Sequence, residues 1–384
     1  MERNLTTGSI WKNIFYFSLP YLLSYFLQTL YGMADLFIIG QFEGAAGTTA
    51  VSIGSQVMHM ITVIIVGLAM GTTVSIAQAV GAKDKKQASR CTGNTITLFL
   101  GVSVVLMVIL LLLVKPIVLV MSTPFEAVSG TVAYLTICFI GIPFIIAYNI
   151  ISSIFRGLGD SKSPMYFIAV ACAANIALDY LFMGALHLGP SGAALGTTLS
   201  QTLSVILALI AIRKRDTGIR LTRSDLSPQT AVMGQILKIG VPIALQDGFI
   251  QIAFIIITII ANRRGLEAAA AVGIVEKIIS FLFLIPSSML STVSALGAQN
   301  IGAGKQKRAE QTMWCAALIA VVFGLIVAIT IQFISVRTSW HSVYPFLYLG
   351  LHFCWSPLHL QRLFLCLRTV GIFLPAQYHC HSAC

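Results

Sequence analysis

Long apolar runs alternate along the chain with short polar breaks that are mostly basic. Nine runs approach or exceed the roughly 20 residues a helix needs to cross the hydrocarbon core of a bilayer. They are 14–39, 51–77, 96–114, 132–155, 164–183, 192–212, 236–261, 268–292 and 313–334. Lipid offers no partner for a free backbone N–H or C=O, so runs of this length are read as helices. The pattern predicts an all-α polytopic membrane protein. The first run is too long for a signal peptide and no small-residue cleavage site follows it, so it reads as a spanning helix.

Composition sharpens this reading. Of 384 residues, 57% are hydrophobic and only 10% charged, whereas soluble domains carry about 25% charged residues. A water-facing surface cannot be assembled from that supply, which excludes a soluble enzyme, a disordered tail protein and a disulfide-built secreted domain. The formal charge of +11 would point to nucleic acid in a soluble chain. Here it falls in the loops, and no nucleic-acid partner is expected. One set of breaks holds Arg3, Lys12, Lys83, Lys85, Lys86, Arg90, Arg156, Lys162, Arg213, Lys214, Arg215, Arg220, Arg223, Lys238, Lys305, Lys307 and Arg308, and the opposite set holds only Lys115, Arg263 and Arg264. By the positive-inside rule the N-terminus of this multi-pass membrane protein is cytoplasmic.

The chain also repeats itself. Ala77-Gln-Ala-Val-Gly-Ala-Lys-Asp-Lys-Lys-Gln-Ala88 aligns with Ala298-Gln-Asn-Ile-Gly-Ala-Gly-Lys-Gln-Lys-Arg-Ala309, and upstream Ser18-Leu-Pro20 aligns with Gly240-Val-Pro242. In each copy a Pro-bearing helix leads to a long second helix that closes on a basic loop. Both copies start on the same side, which makes them parallel repeats, a transporter signature with the path between the halves. The expected organisation is a first lobe of six transmembrane helices at 1–212, a cytoplasmic linker at 213–235, a partial second lobe of about three helices at 236–335 and an atypical tail at 336–384.

Four acids lie in or beside the spans: Asp35, Asp179, Asp247 and Glu276. A carboxylate at bilayer depth has to be paired, wet or protonated. Asn175 precedes Asp179 by four residues and shares its helical face. Asp35 and Asp179 both fall toward the end opposite the basic loops, with Tyr180, Thr197 and Thr198 nearby in sequence, so together they are candidates for holding Na⁺ or sharing a proton. Asp247, with Gln246 and Gln251, and Glu276, beside Lys277, fit a structural role as well as a functional one. Met58, Met60, Met70 and Tyr180 are candidates for a forgiving substrate surface, since thioethers repack around varied shapes, although ordinary packing explains such methionines too. His59 and His187 have no partner at metal-ligand spacing, and no metal site is expected. Arg156-Gly-Leu-Gly-Asp160 lacks the Lys-Ser/Thr of a phosphate-binding loop, which removes ATP-driven transport by this chain alone.

Several of these residues form a familiar set. Pro20 with Asp35, the Ala-Gln-x-x-Gly-Ala of 77–82, Phe155-Arg-Gly-Leu-Gly-Asp-Ser-Lys-Ser-Pro164, Asn175-x-x-x-Asp179 and Gly189-Pro-Ser-Gly-Ala-Ala-Leu-Gly-Thr197 together resemble the multidrug and toxic compound extrusion (MATE) transporters. The likeness covers about residues 10–334 and is greatest to the prokaryotic branch that includes the DNA-damage-inducible F proteins. It implies two parallel six-helix lobes and export of cationic or amphipathic, drug-like small molecules in exchange for H⁺ or Na⁺, with no other cofactor and a monomeric state in the bilayer. The first-lobe cation site of that branch would map onto Asp35, Asn175, Asp179 and Thr197.

Residues 336–384 depart from the pattern. They hold five of the seven histidines (His341, His352, His359, His379, His381) and four of the eight cysteines (Cys354, Cys366, Cys380, Cys384), and nothing like Ile154-Phe-Arg-Gly-Leu-Gly recurs there. A frameshift or assembly error is expected to have replaced the true C-terminus, leaving the second lobe truncated. His379-Cys-His381 with Cys384 matches no standard zinc spacing. Three other functions compete with drug export. A lipid-linked oligosaccharide flippase of the same superfamily should show a cationic groove, yet no Arg or Lys falls within a first-lobe span. A membrane-embedded enzyme should show a catalytic cluster at one interface. The third is a truncated, inactive product.

Overall fold

The computed structural model describes residues 5–214, 221–263, 275 and 278–337. Among them are ten α-helices: α1 (Ile10–Phe42), α2 (Ala45–Gly81), α3 (Lys85–Val120), α4 (Phe125–Ile140), α5 (Ile142–Gly157), α6 (Lys162–Asp179), α7 (Gly189–Lys214), α8 (Thr230–Arg263), α9 (Leu284–Gly302) and α10 (Gln306–Arg337). No strand occurs among the described residues. Eight helical stretches are long and apolar enough to cross a membrane, and α4 with α5 makes a ninth when that bent pair is taken as one span. Large apolar side chains stand outward, among them Leu100, Leu112, Phe249 and Leu318. In lipid this is the stable arrangement, because the surroundings are as apolar as the core.

The run at 132–155, expected as one helix, is broken. α4 and α5 meet at Gly141 with a bend of 49°, and Pro143 sits in the first turn of α5. Proline supplies no N–H to continue the ladder of α4, and its ring is at home in a first helical turn. Gly141 is needed for a second reason. A Cβ there would stand 2.6 Å from Thr198 Cγ2 and 2.8 Å from its hydroxyl oxygen, so the break is where α7 presses in.

The repeat reappears as geometry. After α2, Ala82 N–H donates to Gln78 O, Lys83 N–H to Val80 O and Asp84 N–H to Ala79 O. After α9, Ala303, Gly304 and Lys305 make the matching bonds to Gln299, Ile301 and Asn300. Both turns pass through the left-handed region, at Lys83 (φ 58°) and Gly304 (φ 73°), the usual helix stop whose two crossed bonds satisfy the last carbonyls. The copies also touch each other. A Cβ on Gly81 would run into the Gln299 carbonyl, and one on Gly302 into the Gln78 carbonyl. Each glycine therefore lets the other copy's backbone approach, as small residues do at helix crossings in membranes. Nearby, Gly240 of α8 fits against the Leu68 backbone of α2, and Gly67 of α2 against Ala244 of α8. In the corresponding crossing of α1 and α9, Ser288 Oγ donates to Ser18 O at 2.9 Å and the Tyr25 and Ser291 hydroxyls lie 3.0 Å apart. All of these contacts lie in the half of the bundle that carries the α2–α3 and α9–α10 turns, here termed the basic end.

The polar stretch between the copies is less free than its composition implies. α7 continues to Lys214, and residues 221–229 lie on α3. Asn94 donates to Asp225 O at 3.2 Å and accepts from Gln229 N–H at 2.6 Å, and Thr97 donates to Leu226 O at 2.7 Å. The Asp225 carboxylate accepts from the Thr222 N–H at 2.9 Å and the Thr222 hydroxyl at 2.6 Å. These bonds hold its pKa below the ordinary carboxylate range.

Candidate functional site

Three helices supply the acidic cluster. α1 carries Asp35, about 38 Å along its axis from Ile10 at 1.5 Å per residue. α6 carries Asn175 and Asp179 one turn apart, and α7 carries Gly196 and Thr197. The structure brings Asp35, Asn175, Asp179 and Thr197 into one place at the end opposite the basic turns. The Thr197 hydroxyl donates to Asp35 Oδ2 at 3.3 Å, and Asn175 and Asp179 face Asp35. Asp35 is 2% exposed, Asn175 1% and Asp179 0%. Asp35 Oδ1, both Asp179 oxygens and both polar atoms of Asn175 make no hydrogen bond. Five such atoms in one buried place are unusual, since buried polar groups are nearly always satisfied.

Local sequence explains the placement. At Asp179 the helix widens into a π turn, Tyr180–Ala185, a feature found mostly at functional positions in helices. Gly196 makes room for the carboxylate. A Cβ there would collide with Asp179 Oδ1 and stand 3.6 Å from Asn175 Nδ2. Sequence reasoning missed Gly196, and its signal was the small-residue spacing of Gly189, Gly192, Ala193 and Gly196, which marks a close helix crossing. Tyr31, Cys138 and Cys172 lie within electrostatic reach of Asp35. Among the described residues no lysine or arginine is buried with the pair. The donor set is therefore oxygen-rich and acidic, the chemistry that holds a hard cation or shares a proton. Among the described residues no three His, Cys, Asp or Glu side chains converge as they would for a transition metal.

The other candidates do not join this cluster. Met58 is packed in the largest hydrophobic core, with Ile61 and Tyr134. Met70 lies where α2 meets α8 and α9, against Ile239, Ile243 and Ala298. Met60 is partly buried on α2. Tyr180 is 44% exposed, its ring edge-on to Phe42 at 6.1 Å. Asp247 is buried on α8 and is not among the groups facing Asp35. Glu276, Lys277, Arg264, Glu267 and the tail's histidines and cysteines lie outside the described residues.

Arg156 requires a correction. Its motif reads as a loop, but the residue occupies the last turn of α5 and is 7% exposed. The guanidinium carbon stands 4.5 Å from the centre of the Tyr21 ring. It is the one lysine or arginine buried among the described residues. The statement that no first-lobe span holds a cation therefore fails at this position, because the helix extends past the end of the apolar run.

The MatE family model matches residues 20–181 and 242–338, more than half of the chain and both copies of the repeat. The chain belongs to the MatE family. Among curated relatives, the "Probable multidrug resistance protein YpnP" of Bacillus subtilis is 30% identical over 79% of this chain and 68% of the relative. The "Probable multidrug resistance protein YoeA" of the same organism is 28% identical over 85% of this chain and 72% of the relative. A MOP superfamily transporter from Pyrococcus furiosus superposes with a TM-score of 0.84 at 23% identity, over 95% of this chain and 85% of that one. This likeness establishes a shared fold, the MATE bundle of two parallel lobes. As a MATE protein the chain is a multi-span membrane transporter of the multidrug efflux class.

Proposed function

We propose that this chain exports cationic or amphipathic drug-like molecules across a bacterial inner membrane, its N-terminus in the cytoplasm, in exchange for H⁺ or Na⁺. The observation that carries the reading is the pair Asp35 and Asp179, buried on facing helices with most of their oxygens unbonded. Two carboxylates at bilayer depth cost roughly 2.5–3.5 kcal/mol each on insertion scales. A cation taken up between them offsets that cost, and the offset differs with how tightly α1 packs on α6 and α7. That difference is what coupling requires, since an ion bound equally in both states moves nothing. With the cation bound, the lobes are closed at the basic end and cargo leaves on the far side. With the cation lost to the cytoplasm, the lobes part at the basic end and cargo enters.

The test is Asp35→Asn in proteoliposomes, following ethidium efflux under imposed proton and sodium gradients. Loss of gradient-driven efflux with retained ethidium binding is the expected result. Gradient-driven efflux at the wild-type rate would sink the ion-exchange reading. The gradient that drives the wild type names the ion.

Arg156 gives one observation in favour of a lipid-linked sugar flippase. A diphosphate headgroup calls for several converging cations, however, and a single buried arginine ranks that reading second.

A further inference from the structure

A cation buried in the membrane-spanning bundle is costly unless something answers its charge, and Arg156 is answered weakly. Among the described residues no carboxylate faces it. Its neighbours are the ring of Tyr21 at 4.5 Å and, within electrostatic reach, Tyr25 and Tyr148. A ring face attracts a guanidinium but accepts none of its N–H bonds. Tyr21 is buried with its own hydroxyl unbonded, and the buried Ser152 hydroxyl one turn before Arg156 is unbonded as well. The place is aromatic and cationic, with the Tyr25 hydroxyl engaged by Ser291 and that of Tyr148 by Pro164 O.

It is also distinct from the acidic cluster. Tyr21 and Asp35 lie about 21 Å apart along α1 at 1.5 Å per residue. Arg156 stands at the basic end, where α9 closes the cleft. Gln299 Nε2 of α9 donates to Gly157 O at 3.4 Å, and Ser291 of the same helix meets Tyr25. Tyr21 likewise shares a core with Met289 and Val293 of α9, so Arg156 lies one side chain behind the contact between the two copies.

We propose that Arg156, framed by Tyr21, Tyr25 and Tyr148, is the recognition group for a carboxylate borne by an aromatic cargo molecule. The proposal rests on the export reading and extends it. The acidic cluster handles the exchanged cation, while Arg156 selects for an oxyanion on the cargo at the loading end. A guanidinium pairs with a carboxylate through two parallel N–H···O bonds, and the tyrosine rings stack on the aromatic body.

The experiment measures equilibrium binding of norfloxacin, a zwitterion, and of its methyl ester, which keeps the amine and the ring but loses the anion. The protein is held in phosphatidylcholine nanodiscs, which supply no anionic lipid. Wild type should prefer the acid by on the order of tenfold, the scale of a charge-assisted hydrogen bond. Arg156→Gln should erase the preference while affecting the ester much less, and Arg156→Lys should keep part of it. Equal weakening of acid and ester in Arg156→Gln would make the residue structural and overturn the proposal, as would a wild type that does not distinguish them. If the ester binds but the acid is not preferred, the oxyanion site fails and the export reading stands. If neither ligand binds, both fail.

Discussion

Gly196→Ala perturbs the acidic cluster without changing any charge. The added Cβ falls inside contact distance of Asp179 Oδ1, 3.3 Å from its carboxyl carbon and 3.6 Å from Asn175 Nδ2. The carboxylate has to retreat, and α7 and α6 cannot simply part because both are packed in the bundle. Overpacking of this kind costs about 1–3 kcal/mol. Taken from the cation-bound geometry, that is roughly a 5- to 150-fold rise in the cation concentration that half-saturates exchange. The assay is ethidium efflux from proteoliposomes across a series of sodium concentrations and pH values, with the melting temperature recorded beside it. Gly32→Ala is the matched control, since that glycine lies on α1 one turn before Asp35 with nothing within 4 Å of a Cβ. An unchanged half-saturating concentration in Gly196→Ala, with folding intact, would refute the idea that Asp179's position sets cation affinity.

Two further outcomes follow from the contacts between the copies and from the turn on α3. Gly81→Leu and Gly302→Leu should each hold the two copies apart at the basic end, and by similar amounts, because each glycine rests on the other copy's glutamine carbonyl. A cysteine at position 78 should then label at least about fivefold faster from that side, on the scale of a 1–3 kcal/mol overpacking cost, and a strong effect from only one of the two would contradict the paired geometry. Asp225 should contribute a pH-dependent hold on α3. Its folded pKa lies below the ordinary value, so the contribution is complete above the unfolded carboxylate pKa and is lost as pH falls through the folded one. The gap in melting temperature between wild type and Asp225→Asn should be full at neutral pH and close in strong acid, and a gap independent of pH would reject this.

Hydropathy located the spans because lipid imposes one rule on every residue that faces it, but it misplaced their ends. The runs at 51–77 and 268–292 stop where Gln78 and the stretch near Gln299 begin, yet the helices go on to Gly81 and Gly302. Those polar residues are covered by the other copy of the repeat, which a one-dimensional profile cannot register. Arg156 was read as a loop cation because its apolar run stops at Phe155 while α5 continues to Gly157. Half of the acidic cluster was legible locally, since Asn175 and Asp179 share a face by spacing alone. That Asp35 meets them depends on how α1 packs against α6, a tertiary fact. Gly196 and the break at Gly141 were missed because each leaves room for a neighbour's side chain, and which neighbour fills that room is again a tertiary fact.

The paired glycines at positions 81 and 302 also constrain what can open the molecule. Main chain presses there on main chain, with no ionisable side chain in the contact itself, so neither acidity nor salt acts on it directly. Any pull that separates the halves there has to arrive mechanically, along the helices, rather than from a charge within the contact. α1 reaches from one region to the other and touches α9 on the way, which makes it the member that ties the two ends of the molecule together.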